Sequence, residues 1–199
     1  FPGWQGGPLE HVIAGKAVPE DRGDRYFGFV QTHDTKPRRR LNQVLRDQGF
    51  QMNQDVTFLT DGGDSVRALV ADMSPCAEHF LDWFHVTMRL TVLGQFAKGV
   101  AHHDAAAGAD ITERLDRIKW RLWHGDAMEG QERIEDLAED IRCLVLPYDG
   151  LKKFARLTAE FATYIANNID AIPNYGERWR YGERISTAFV ESAVNVVID

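Results

Sequence analysis

The run "DVTFLTDGGD", residues 55–64, carries an acid at the end of a β-rich stretch and a second acid two glycines later. Val56 to Thr60 reads as a strand, and glycine allows the tight turn that follows it. Asp61 therefore belongs at a strand's carboxyl edge, where open α/β sheets place their ligands and where a carboxylate suits a hard cation or a proton. Helix capping is the plainer use of such acids, and Asp64, ahead of "SVRALV", fits it. Asp61 is open to either use. Asp82 and His85 fall together in "DWFH", and Glu191 interrupts the apolar run "STAFVESAVNVVI". Carboxylate oxygens are the ligands that Mg²⁺ takes, and two such ions can clamp the attacking and leaving oxygens of a phosphoryl transfer. A structural, partly buried histidine is the plainer account of His85. The stripe Thr187, Glu191, Asn195 at helical spacing has an ordinary use as a solvated face.

Two segments could meet phosphate. "TKPRRR" holds Lys36, Arg38, Arg39 and Arg40, and such a run is commonly the solvated first turn of a helix. "NYGERWRYGE" offers Tyr175, Trp179 and Tyr181 for stacking, with Arg178, Arg180 and Arg184 nearby, or else anchors a loop on the core. His102 and His103 lack a second ligand pair at zinc spacing and read as surface residues.

The elements that must position these groups are legible in outline. "HVIAGKAV" and "RYFGFVQTH" read as an antiparallel hairpin, residues 37–48 as a helix ending at Gly49, and Ser65 to about Asp72 as a short helix. "AEHFLDWFHV" reads as a further extended piece centred on Phe80 to Trp83. Apolar spacing then predicts helices over Val86–Val100, Ile111–Trp123, Ala127–Leu144, Leu151–Asn167 and Glu183–Val197. Gly99, "HHDAAAGAD", Gly125, "LPYDG" and "IPNYGERWRYGE" read as breakers between them. The expected class is mixed α/β: a sheet begun antiparallel, continued by strand-helix-strand units, then a helical block.

A length of 199 residues allows one substantial core with an inserted subdomain, and a net charge of -7 disfavours a surface built wholly for nucleic acid. No stretch approaches the roughly 20 apolar residues of a membrane span, and no signal-peptide pattern opens the chain, so a cytoplasmic location is expected. Cys76 and Cys143 are far apart without CxxC spacing, which predicts two buried small residues and no disulfide framework. Phe at position 1 and an uncapped final helix predict a fragment.

Five stretches together resemble the transposases of the ISKra group of bacterial insertion sequences. They are "DRYFGFVQTHDTKPRRRL", "QMNQDVTFLTDGGDSVRAL", "EHFLDWFHVTMRLTVLGQFAKG", "RIKWRLWHG" and "IPNYGERWRYGERISTAFVESAVN". The resemblance implies a Mutator-related DDE transposase with a ribonuclease-H-like sheet, incomplete at its first strand, and a large all-helical insertion. It implies a core over 1–85, the insertion over 86–183 and a core helix over 184–199. It also implies Mg²⁺ (or Mn²⁺) bound by Asp61 and Glu191 as catalytic acids, with Asp82 and His85 shaping the site. Transposon-end DNA is the implied partner, contacted through Lys36, Arg38, Arg39, Arg40, Arg178 and Arg180, in a homo-oligomer of the complete enzyme. The family's first catalytic aspartate has no counterpart here, so cleavage and strand transfer are not expected of this chain alone. The alternatives are a DNA-binding or dimerising remnant and a small ribonuclease-H-like nuclease.

Overall fold

A computed structural model describes residues 12–18, 25–30, 37–51, 54–63, 67 and 77–187. The chain divides into two compact units, one comprising Phe1–Phe58, Gly63–Glu78 and Ala188–Asp199, the other Leu59–Gly62 and His79–Thr187.

In the first unit, β1 (Val12–Ala17) and β2 (Arg25–Val30) form the expected antiparallel hairpin, with Val12 opposite Val30 and Ala17 opposite Arg25. Helix α1 (Pro37–Asp47) begins on proline, whose fixed φ and missing N–H suit a first helical position. Leu41 and Leu45, one turn apart, are buried. Gly49, at φ 87°, closes the helix, and the Phe50 N–H returns to the Leu45 carbonyl at 2.9 Å, the arrangement that satisfies a last-turn carbonyl.

Strands β3 (Val56–Thr60) and β4 (Ala77–Leu81) are parallel neighbours. Their carboxyl ends, from Leu59 and from His79, belong to the second unit. That unit continues with α2 (Trp83–Ala101), α3 (Ala105–Trp123), α4 (Ala127–Cys143), α5 (Leu151–Asn167), a 3-10 turn over Ile169–Ala171, and α6 (Tyr175–Arg180). The mixed class holds, and helices dominate it. Among the described residues the strands form two separate two-stranded sheets, not the single continued, ribonuclease-H-like sheet expected.

The core of the second unit follows from heptad-like apolar spacing. Helix α2 buries Val86, Leu90, Leu93, Ala97 and Val100, while α3 buries Ile111, Leu115, Ile118 and Leu122. Helix α4 contributes Ile134, Leu137 and Ile141, and α5 contributes Phe154, Phe161 and Ile165. Such stripes bury only when helices pack along one another, which short loops between antiparallel neighbours permit. The close passage of α2 and α3 depends on Gly108, where an added Cβ would lie 2.5 Å from the Ala101 Cα.

Several boundaries move for identifiable reasons. Helix α2 starts at Trp83, because Asp82 caps it by accepting the Phe84 N–H at 2.9 Å. Gly99 lies inside that helix, with Tyr148 packed where its Cβ would be. The stretch "AAAGAD" is the first turns of α3, since Asp104 caps it through the Ala107 N–H and alanine is the best helix former. "YGERWR" is a short helix capped by Asn174, and residues 183–187 are not helical. The remainder of the expected Glu183–Val197 helix lies outside the described residues, as do Asp64, Cys76 and all of the Ser65–Asp72 helix except Arg67, which is helical. Cys143 is exposed, not buried, because it falls two residues past Ile141 and off the buried stripe of α4. Among the described residues no helix is long and apolar enough to cross a membrane.

Candidate functional site at the strand edge

The carboxyl ends of β3 and β4 bring Asp61, Asp82 and His85 into the second unit, together with three residues from later elements. Asp82 is fully buried. Its N–H donates to the Thr60 carbonyl at 2.8 Å, which ties the end of one strand to the other. Its Oδ1 accepts from the N–H groups of Phe84 at 2.9 Å and Thr187 at 3.1 Å, and its Oδ2 accepts from the Thr187 hydroxyl. A buried carboxylate is expensive unless it is supplied with donors, and these three meet that need. The Trp83 N–H donates to the Ile185 carbonyl at 3.1 Å, so the 183–187 segment is held against the start of α2 at two points.

His85, one turn into α2, places Nε2 3.7 Å from the Asp82 Oδ2. That is an electrostatic contact, longer than a hydrogen bond. The imidazole side chain is 25% exposed, whereas the Asp82 side chain is 0% exposed. The pair is thus a fixed acid beside a solvent-reaching base, the relation in which a carboxylate orients a proton-exchanging histidine.

Asp61 is exposed at the edge, and its backbone is restrained from both sides. The Tyr164 hydroxyl, from α5, donates to the Asp61 carbonyl at 2.9 Å. The next N–H, of Gly62, donates to the Thr60 Oγ1 at 3.2 Å, and that hydroxyl in turn meets the His79 Nε2 at 2.7 Å. Gly62 has φ 79°, the left-handed region that favours glycine. Burial pushes the Tyr164 phenol well above its ordinary range; the Arg89 guanidinium opposes the shift, and the charges of Asp61 and Asp82 add to it. Arg89 stands 4.1 Å over the centre of the Tyr164 ring. The two carboxylates, the guanidinium and the phenol therefore share one local field.

Tyr175 is also fixed in this region. It is fully buried, and its hydroxyl donates to the Leu81 carbonyl at 2.7 Å. Its ring lies 4.8 Å from that of Trp83. Stacking on a base is therefore closed to it, and burial raises its phenol as it does that of Tyr164. Trp179 and Tyr181 are exposed, 64% and 76% respectively. Arg178 is half-buried, 3.7 Å over the Phe80 ring and paired with Glu183, while Arg180 is exposed. In the other unit Arg39 and Arg40 are exposed on α1, Arg38 lies in the same helix, and Lys36 lies outside the described residues. His102 and His103 are exposed, as surface residues should be.

No protein-family model matches the chain, and no solved structure matches it. Partial similarity is found to a serine hydroxymethyltransferase of Methanosarcina barkeri (strain Fusaro / DSM 804), 43% identical over 53 residues, which are 26% of this chain and 13% of that protein. A serine hydroxymethyltransferase of Caulobacter sp. (strain K31) is 35% identical over 95 residues, 44% of this chain and 20% of that protein. The chain spans a fifth or less of the length of these curated relatives.

These findings overturn the expected membership of the ISKra-group transposases. The similarity found is to proteins of another name, and nothing in it supports DNA cleavage, strand transfer, a nuclease, or a DNA-binding or dimerising remnant. Among the described residues no group of three or more His, Cys, Asp and Glu side chains is gathered to hold a metal, and Glu191 lies outside those residues.

Thr187, Tyr164 and Arg89 are the members of the cluster that residue spacing did not single out. Thr187 read as part of a solvated helical stripe; its hydroxyl and N–H are instead spent on Asp82, across 105 residues of chain. Tyr164 is separated from Asp61 by 103 residues.

Proposed function

We propose that the carboxyl edge of β3 and β4 is an acid–base site that also holds a hydrated divalent cation, Mg²⁺ or Mn²⁺. In this reading Asp61 is the protein's ligand to the cation, His85 exchanges protons with whatever is bound beside it, and Asp82 orients His85. The observation that carries the reading is the Asp82–His85 pair, a wholly buried carboxylate 3.7 Å from a partly exposed imidazole, at the same strand edge as the exposed Asp61.

Asp82 is unsuited to direct ligation, because both of its oxygens already accept from protein donors. The inner shell would therefore be Asp61 and water. Mg²⁺ tolerates such a shell, since it gives up water reluctantly and is often held by one or two carboxylates. A bound divalent cation supplies Lewis acidity and acidifies the water it holds. The activity of the serine hydroxymethyltransferases is not carried over, because the similarity covers too little of either relative.

Titration of the full chain with Mn²⁺, followed by electron paramagnetic resonance, tests the reading. The wild type is expected to bind with a dissociation constant on the order of millimolar, since weak carboxylate sites lie there. Asp61→Asn should weaken binding about tenfold, a loss of about 1.4 kcal/mol. His85→Ala should leave affinity within about twofold, because the imidazole is assigned no bond to the cation. Equal affinity of wild type and Asp61→Asn refutes the proposal.

A further inference from the structure

Helix α5 meets the Asp61 turn through two side chains one helical turn apart. Tyr164 donates its hydroxyl to the Asp61 carbonyl at 2.9 Å. Asn168 is 3% exposed, and its Nδ2 donates to the Tyr164 carbonyl at 2.8 Å. The Asn168 Oδ1 is buried with no hydrogen-bond partner, and it faces the next residue of the turn. An added Cβ on Gly62 would lie 2.8 Å from that oxygen and 2.6 Å from the Leu81 Cδ1. A buried amide oxygen without a donor is costly, so its place beside Gly62 must be held by the packing around it.

We infer that Tyr164 and Asn168 form a clamp that fixes the Asp61–Gly62 peptide, and that Tyr164 is the positioning residue for the Asp61 carboxylate. The inference rests on the cation site proposed above. Tyr164 lies in the last turn of α5 and Asn168 is the residue that caps it, and Phe161 and Ile165 of that helix are buried in the core, so the turn is referenced to the helical layer and not only to its own strand. A ligand on an exposed loop tip is otherwise free to sample many positions, and preorganising it removes that cost from binding. Asn168 fills the space beside Gly62 and bars the turn from collapsing onto α5. Arg89, stacked on the Tyr164 ring, limits rotation of the phenol away from the carbonyl.

The test uses the full chain and Tyr164→Phe, which keeps the ring and the Arg89 stack while deleting the donor. Two readouts are taken: hydrogen exchange of the Gly62 amide by NMR, and Mn²⁺ affinity measured beside wild type and Asp61→Asn. Loss of one hydrogen bond should speed Gly62 exchange about fivefold and raise the Mn²⁺ dissociation constant by a similar factor. Tyr148→Phe, packed on Gly99 near the far end of α2, serves as a control and should change neither. Unchanged Gly62 exchange in Tyr164→Phe overturns the clamp whether or not the cation binds. Faster exchange with unchanged affinity overturns the positioning role. Equal Mn²⁺ affinity in wild type and Asp61→Asn overturns the cation reading and the role with it, while the exchange data still decide the clamp.

Discussion

Replacing Thr187 by valine isolates one bond at the centre of the site. Valine has nearly the same shape, keeps the β-branch, and leaves the backbone N–H donation to the Asp82 Oδ1 at 3.1 Å in place. Only the hydroxyl donor to Oδ2 is lost. A hydrogen bond to a charged group is worth roughly 1.5–3 kcal/mol, and Asp82 is fully buried, so water cannot replace the donor without opening the site. Thr187 is itself only partly buried, so the apolar gain from the added methyl is under about 1 kcal/mol. The expected net loss is about 1–2 kcal/mol. With a urea m-value of roughly 1–3 kcal/mol/M, that lowers the unfolding midpoint by about 0.3–2 M.

The double-mutant cycle with Asp82→Ala makes the argument specific. Asp82→Ala removes the cap of α2 as well, at roughly 0.5–2 kcal/mol, and leaves Thr187 without its acceptor. In that background Thr187→Val should cost almost nothing, giving a coupling of about 1–2 kcal/mol between residues 105 apart. Asp82→Asn should be milder than Asp82→Ala, because the amide keeps Oδ1 for the two N–H groups and the threonine hydroxyl can turn to accept from the amide nitrogen. Additive effects within about 0.5 kcal/mol would refute the view that the 183–187 segment is pinned by this carboxylate.

Glycine substitutions separate crowding from propensity. Gly62→Ala combines φ 79° with contacts of 2.6 Å and 2.8 Å to Leu81 and Asn168, and should cost roughly 2–4 kcal/mol in chemical unfolding. Gly94→Ala, inside α2 with nothing within 4 Å, should instead stabilise by about 0.5–1 kcal/mol. At high pH the buried phenols become a liability. The folded protein holds Tyr164 and Tyr175 protonated beyond their ordinary value of 10.0, so their stabilisation is complete below pH 10.0 and falls as the unfolded chain ionises above it. Each should add a slope of about 1.4 kcal/mol per pH unit to alkaline unfolding, which Tyr175→Phe reduces by one share. At low pH the sign reverses for Glu129. The hydrogen bond from Arg133 chiefly holds its carboxyl below 4.5, so its support for α4 is present above 4.5 and goes as pH falls through the lowered titration. Glu129→Gln should therefore show a shallower loss of stability than the wild type in acid.

What could be read from the sequence tracks how local the controlling interaction is. The α2 to α5 stripes were legible because helix burial repeats every three or four residues, and the hairpin because its strands pair with their neighbours in sequence. Asp82 marks the boundary of that legibility. Its place at the end of β4 was readable, but its service as the cap that starts α2 three residues early depends on one side chain turning back to Phe84. Alanine-rich "AAAGAD" was misread for a similar reason: Gly108 looks like a breaker, yet it is required by the close approach of the Ala101 backbone. Of the residues gathered at the strand edge, Asp61, Asp82 and His85 stood out by residue type at a strand end. Thr187, Tyr164 and Arg89 could not be, since their relevance arises only from contacts made across the fold.

The same distinction bears on how the site is built. Asp61 and His85, the two groups proposed to meet a ligand, keep solvent access, while Asp82 is buried and Tyr164 partly buried. Asp82 spends its charge on Phe84 and Thr187, and Tyr164 spends its hydroxyl on the Asp61 carbonyl. Had Asp82 been the ligand, a cation would have to displace two N–H groups and a hydroxyl from a wholly buried carboxylate, losing both the α2 cap and the 183–187 attachment. Had Asp61 been the structural acid, an exposed carboxylate would contribute little, because solvent screens its interactions. Burial therefore divides the labour between the two aspartates, and the division requires that Asp61→Asn spare stability while Asp82→Ala does not.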